Sequence, residues 1–208
     1  VNNALGVLAS LANPAFVDQL VAGVGMVLLE FRGMGAPNFV TSMAILEAKI
    51  APSNSDCAYQ ASTCDYLVKT SNFSDATCLP VNAVPADLNG TQLNVGTSGT
   101  AIPFSTPINS TTSIVFDIHN VVVDANVTFV GSNIATLNGL VAGAVRKDDI
   151  IAAIQAAPDG ALLVDKSVVV SLITFMNADV DTDNDGINDA LSIGLIVQAI
   201  DADITGLY

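Results

Sequence analysis

Basic residues are scarce: six lysines and arginines stand against twenty aspartates and glutamates, a formal net charge of −14. They are spread singly apart from the Arg146-Lys147 pair, and none follows Lys166. A nucleic-acid-binding chain needs a basic patch to neutralise phosphates, and none can be assembled here. Anionic membrane surfaces are disfavoured on the same ground, and cations become the natural small partners. Long apolar runs are missing too. The longest, 20–29 and 168–176, are about half the roughly 20 residues that a spanning helix needs, so no transmembrane segment is expected. No charged-then-apolar leader opens at Val1, which suggests a mature product or an excised domain.

Histidine occurs once, at His119, and no CxxC or Cys/His zinc spacing exists. A Ser-His-Asp relay would have to use His119, which alternates with Phe116 and Ile118 on a strand, and no GxSxG elbow accompanies it. Glu30 and Glu47 fall in strand patterns whose solvated face explains them, so a glycosidase carboxylate pair is not indicated. Gly23, Gly25, Gly33 and Gly35 read as turns. The expectation is a protein that is not an enzyme.

Three cysteines, Cys57, Cys64 and Cys78, lie in a Ser/Asn/Asp-rich stretch. They read as one disulfide plus a leftover thiol. Cys64–Cys78 is favoured because it closes a loop of moderate size; Cys57–Cys64 and Cys57–Cys78 remain open. Sequons at Asn72, Asn89, Asn109 and Asn126, together with the cysteines and the acidity, fit an extracellular or cell-surface location.

What is abundant is apolar: 51% of the residues, at a mean hydropathy of +0.56. In 208 residues this allows one sizeable core or at most two small ones. It also suggests surfaces covered by another copy, a partner or a lipid. Asn2 and Asn3 can cap a short helix, and Asn13-Pro14 opens a second. Strand alternation marks 26–32 and 42–51, with helix as the rival over the latter. Residues 51–112 read as a disulfide-stapled surface excursion. "TSIVFDIHNVVVDANVTF" is the strongest β pattern, with a bulge or bend near Asn120. "IATLNGLVAGAV" is another strand. Helices follow at Asp148 and after Asp165, the second with Val168, Val169, Leu172, Ile173 and Met176 facing inward. A last strand begins at Leu191. The order predicts one exported α+β domain over 1–208: a curved antiparallel sheet packed against a few helices, with an acidic loop between the last helix and the last strand.

That loop, "DVDTDNDGINDALS", holds five aspartates in residues 179–189. Asp181, Asp183 and Asp185 followed by Gly186 match D-x-[DN]-x-[DN]-G, in which alternate side chains converge as the backbone coils around a point. The Ile187 carbonyl and the Asp189 carboxylate can follow as ligands, with Asp179 as a further candidate. Six to eight hard oxygens are what Ca²⁺ requires, and no nitrogen or sulfur for a transition metal is present. The loop resembles the DxDxDGxxD calcium loops of EF-hand-like modules, dockerins and thrombospondin type 3 repeats. It departs from the EF-hand in having Ser192 at the twelfth position, so a bidentate ligand must come from Asp179, Asp189 or a distant residue. Beyond the loop, "DTDNDGINDALSIGL", "CDYLV" and "ATCLP" are similar to secreted or lipoprotein-like proteins of unknown function from myxobacteria and related bacteria. This resemblance implies export and no particular activity. The expectation is a calcium-stabilised, self-associating surface or fibre subunit, the alternative being a secreted carrier or binding module for an apolar ligand.

Overall fold

The structure is a computed structural model that describes residues 3–8, 17, 26–33, 42–52, 64–96, 99–109, 112–131, 133–162 and 164–208. The helix expected from Asn13 lies outside these apart from Val17, as does Cys57. Ten strands and two α-helices are present among the described residues: β1 (Met26–Arg32), β2 (Ser42–Ile50), β3 (Asp65–Val68), β4 (Ala83–Asn89), β5 (Gln92–Val95), β6 (Ala101–Asn109), β7 (Thr112–Val130), β8 (Asn133–Arg146), α1 (Lys147–Ala156), α2 (Lys166–Phe175), β9 (Ala190–Ile200) and β10 (Asp203–Leu207). Single 3-10 turns lie at Ala4–Leu8 and Thr70–Asn72. The strands follow the order β10-β3-β2-β4-β5-β7-β8-β9, with β1 beside β2 and β6 beside β7.

The expected curved antiparallel sheet is corrected on both counts. β10 pairs with β3 in parallel, so the sheet is mixed. The strand path is open, neither closed nor strongly curled. The acidic loop precedes β9, which is not the last strand: the alternation read through 191–204 breaks at Asp201-Ala202, and β10 follows.

The chain divides into two compact units, one of 20–97, 122–141 and 196–208, the other of 1–19, 98–121 and 142–195. In the first, β2 is the organising strand. It pairs with β1 over seven residues, Met26↔Ala48 to Arg32↔Ser42, and also takes β3 and β4. Its period-2 pattern sends Ala44, Leu46 and Ala48 into a core with Met26, Cys64, Tyr66 and Val68. Helix, the rival reading of this segment, loses because each residue from Ser42 to Ala48 is paired with β1. Within this unit the buried Asn72 clamps β2, its Nδ2 donating to the Glu47 carbonyl (3.1 Å) and the Lys69 carbonyl (3.0 Å). The nitrogen that a glycan would occupy is thus spent in holding the fold. Glu47 accepts from Lys69 Nζ at 2.8 Å, and Lys49 Nζ lies 4.1 Å from the centroid of the Tyr208 ring.

The cysteines require a correction. Cys64 is fully buried, whereas Cys78 is exposed and free, so the favoured Cys64–Cys78 bridge and the Cys57–Cys78 alternative do not form. No disulfide joins two of the described residues.

In the second unit, β6 pairs antiparallel with the first part of β7, from Ala101↔His119 to Asn109↔Thr112. Pro103 and Pro107 cannot donate ladder bonds, which suits a strand with a single partner. The expected bend falls at Asn120, which adopts a left-handed φ of 53° while its Oδ1 accepts from Gly99 N at 2.8 Å. Asp165 caps α2 as read, accepting from Ser167 N at 2.7 Å. Of the residues expected on the inward face of α2, Ile173 is buried, whereas Val168 and Leu172 are exposed; Phe175, at the end of the helix, is 85% exposed. No helix among the described residues is long and apolar enough to cross a membrane.

Two glycines of β8 set how closely β7 approaches. A Cβ on Gly139 would fall within 3.0 Å of Ala125 Cβ and the Asp124 carbonyl oxygen, and one on Gly143 would meet Ile118 Cγ2. Backbone cannot yield there as a flexible side chain would. Gly139→Ala is therefore expected to lower stability by about 1–3 kcal/mol, the usual cost of overpacking, measured by urea denaturation.

Tyr208 provides a pH test. Burial, then the Glu47 carboxylate, push its phenol up to about 12. The folded state holds the proton more tightly than the unfolded chain, whose tyrosines ionise near 10. Stability is then undiminished below about 10 and falls as pH rises from there to about 12. The difference absorbance titration between wild type and Tyr208→Phe is expected to place this phenol near 12, and Glu47→Gln to bring it lower.

Candidate metal centre

The acidic loop is held at its base before any ion is considered. α2 ends at Phe175, and Lys147 Nζ donates to the carbonyls of Thr174 (3.0 Å) and Met176 (2.7 Å), a cation on the negative end of the helix. The chain then crosses to β9 through an isolated antiparallel bridge, Val180↔Ala190. Val180 N donates to the Ala190 carbonyl at 3.2 Å, and Ala190 N to the Val180 carbonyl at 3.0 Å. The residues between are thereby closed into a loop.

Within it, Asp181, Asp183 and Asp185 each fold onto the backbone ahead, the habit of this side chain in turns. Asp181 Oδ1 accepts from Asn184 N (2.7 Å) and Asp183 N (3.3 Å), and its Oδ2 from Gly186 N (2.8 Å). Asp183 accepts from Asp185 N (3.3 Å) and Asp185 from Ile187 N (2.8 Å). Asn184 (φ 62°) and Gly186 (φ 89°) both take left-handed conformations that curl the chain. The result is a cluster in which one carboxylate oxygen each from Asp181, Asp183 and Asp185 lies within 4.8 Å of the others. Oxygens this close, on a largely exposed turn, are able to hold a divalent cation.

The remaining sequence candidates are placed differently. Asp189 turns to Thr182, accepting from its N (2.9 Å) and Oγ1 (2.7 Å), and pairs with Arg146 Nε at 3.0 Å. Asp179 turns to Ser192, accepting from its N and Oγ, both at 2.7 Å. Ile187 is exposed, its N–H engaged by Asp185. The structure thus brings together the D-x-D-x-D core of the motif and sets Asp179 and Asp189 as its two fastenings.

Two participants, Arg146 and Thr182, have no place in the sequence motif, and Ser192, the twelfth position that lacks a glutamate, serves as the partner of Asp179. Arg146, at the end of β8, also approaches Asp183 Oδ2 at 3.6 Å and donates from Nε to Thr182 Oγ1 at 2.9 Å. The Arg146-Lys147 pair was the available signal, since one side chain serves the loop and the other the α2 end.

The electrostatics agree with this arrangement. The Gly186 N–H, with those of Asn184, Asp183 and Asp185, holds the Asp181 carboxyl below the usual aspartate range. For Asp189, desolvation pulls upward, but the Thr182 hydroxyl and amide and the Arg146 charge outweigh it, and the net direction is down. His119 lies apart from the loop residues in sequence, its Nε2 3.9 Å from Asp149 Oδ2.

Because the folded Asp189 holds its proton less tightly than the unfolded chain, its contribution is present above the ordinary aspartate pKa. It is lost as pH falls through the lower folded value. Arg146→Ala is expected to reduce stability by about 1 kcal/mol at neutral pH, the upper end for a partly exposed pair. In urea denaturation the gap from wild type should narrow in acid, where Asp189 is protonated in both proteins.

No family model, curated protein or solved structure matches the chain.

Proposed function

We propose that this chain is a calcium-stabilised, non-enzymatic structural protein of the cell exterior, a cell-surface or fibre subunit that assembles with copies of itself. The observation that carries the reading is the convergence of Asp181, Asp183 and Asp185 on a left-handed turn whose ends are fastened by Asp179–Ser192 and Asp189–Thr182–Arg146. Hard carboxylate oxygens on a coiled loop suit Ca²⁺. The Ile187 carbonyl, water, and Asp189 after exchange of its Arg146 pairing would complete the six to eight oxygens that the ion takes. A site on the segment that joins α2 to β9 would act as a staple. Low charge and an apolar surplus support assembly, and acidity with calcium supports an exterior location.

One observation favours a carrier of apolar ligands. In the unit of 20–97, 122–141 and 196–208, a cleft of about 280 Å³ is lined by residues including Val27, Leu29, Phe31, Ile134 and Ile204. Ligand sites usually span about 300–1,000 Å³, so this one suits only a small apolar molecule. The structural reading is preferred for that reason.

Calcium titration by calorimetry is expected to give a Kd of about 10⁻⁴–10⁻³ M, as in extracellular modules. At ten times that Kd the ion adds about 1.4 kcal/mol. For a domain of this size the midpoint of thermal unfolding then rises by about 3–6 °C. Asp183→Asn should abolish both the heat and the shift. Equal thermal stability of the wild type in millimolar calcium and in chelator would overturn the staple.

A further inference from the structure

β9 carries eleven residues, ALSIGLIVQAI, with no charge and no proline, and it ends the strand order. Its two halves are treated differently. In the first, the outward backbone groups are taken: Ala190 by Val180, Ser192 N by Asp179 Oδ1, and the Gly194 carbonyl by Asn3 Nδ2 at 3.0 Å. These are the even-numbered positions, and a strand points alternate residues' N–H and C=O groups to the same edge. Asp201 N, at an odd position, donates to the β8 carbonyl of Ala135 at 3.0 Å, which places the β8 side on the odd numbers. Ile196, Gln198 and Ile200 therefore present N–H and C=O groups on the far edge, and no described residue pairs with them. Their side chains share one face, where Ile196 is 87% and Ile200 41% exposed.

Sheets ordinarily protect such an edge with charge, proline or a bulge. β6 has Pro103 and Pro107, and β10 has Asp203 at its start and a register shift before Gly206. The second half of β9 has none of these. We infer that Ile196–Ile200 is a strand-addition edge whose partner is the same segment of a second copy, paired antiparallel about a two-fold axis at Gln198.

Three features select that partner and that direction. The segment is uncharged in a chain of net charge −14, so it is a place where two copies meet without like-charge repulsion. Antiparallel pairing sets Ile196 opposite Ile200 twice and Gln198 opposite itself, and every outward N–H finds a carbonyl. It also sends Asp201 and Asp203 of the two copies to opposite ends, whereas parallel pairing would set Asp201 beside Asp201. The contact is isologous and closes at a dimer, so any longer fibre would need a second contact.

This inference rests on the assembly part of the proposed function and not on the calcium loop. Sedimentation velocity over a range of loading concentrations, in calcium and in chelator, should show a monomer–dimer equilibrium in both buffers. Ile196→Lys, at an exposed position, should leave the circular dichroism and calcium binding unchanged and reduce the protein to a monomer. Gln198→Cys in a Cys78→Ser background should form a disulfide-linked dimer under oxidation. Facing residues in a hydrogen-bonded pair sit about 5.5 Å apart at Cα, within disulfide reach. A wild type that is monomeric throughout, a dimer indifferent to Ile196→Lys, or the absence of the Gln198→Cys cross-link would each overturn the pairing. Loss of the calcium heat alone would count against the loop and leave the pairing standing.

Discussion

The 3.0 Å pairing of Arg146 with Asp189 is the constraint on which the acidic end of the chain depends. Five aspartates in residues 179–189 would repel one another in an extended segment. The fold handles them in three ways. Arg146 supplies a full positive charge to Asp189 and approaches Asp183. Backbone N–H groups satisfy Asp181, Asp183 and Asp185. Ser192 takes Asp179 into β9. What is left is a compact surplus of negative charge on three converging carboxylates, the condition under which a hard divalent cation is favoured.

The same economy runs through the chain ends of the elements around the loop. Lys147, next to Arg146, closes the carboxyl end of α2, so two adjacent basic side chains serve a helix terminus and an acidic turn. In the other unit, Lys69 and Lys49 serve Glu47 and Tyr208 in a comparable way. A chain with only six basic residues places at least four of them where they hold separate segments together. That use of charge is structural.

Strand edges show a further division of labour. Prolines mark β6 as a strand with one neighbour, and Gly139 and Gly143 let β8 lie close against β7. Inside the sheet, small residues permit close approach; at its margins, prolines and aspartates discourage unwanted pairing. Against that background the second half of β9, uncharged and with no partner among the described residues beyond β8, is a margin of different character.

What the sequence by itself determined is what neighbours in the chain can build. The D-x-D-x-D turn, its glycine, the Asp165 cap, the break at Asn120 and the alternation of β1, β2 and β9 each depend on residues a few positions apart. Such patterns are legible because local geometry repeats with a fixed period. Tertiary structure alone decided the partners of those pieces. It joined β10 to β3 in parallel, left Cys78 free, buried Asn72 against β2, and turned the Val168–Leu172 side of α2 outward. It also drew Asp189 to Arg146 and Asp179 to Ser192, outside the cluster of three. These outcomes turn on which distant segments meet. An apolar or acidic residue carries the same local signal whether its partner lies four residues away or a hundred, so only the packed chain resolves the choice.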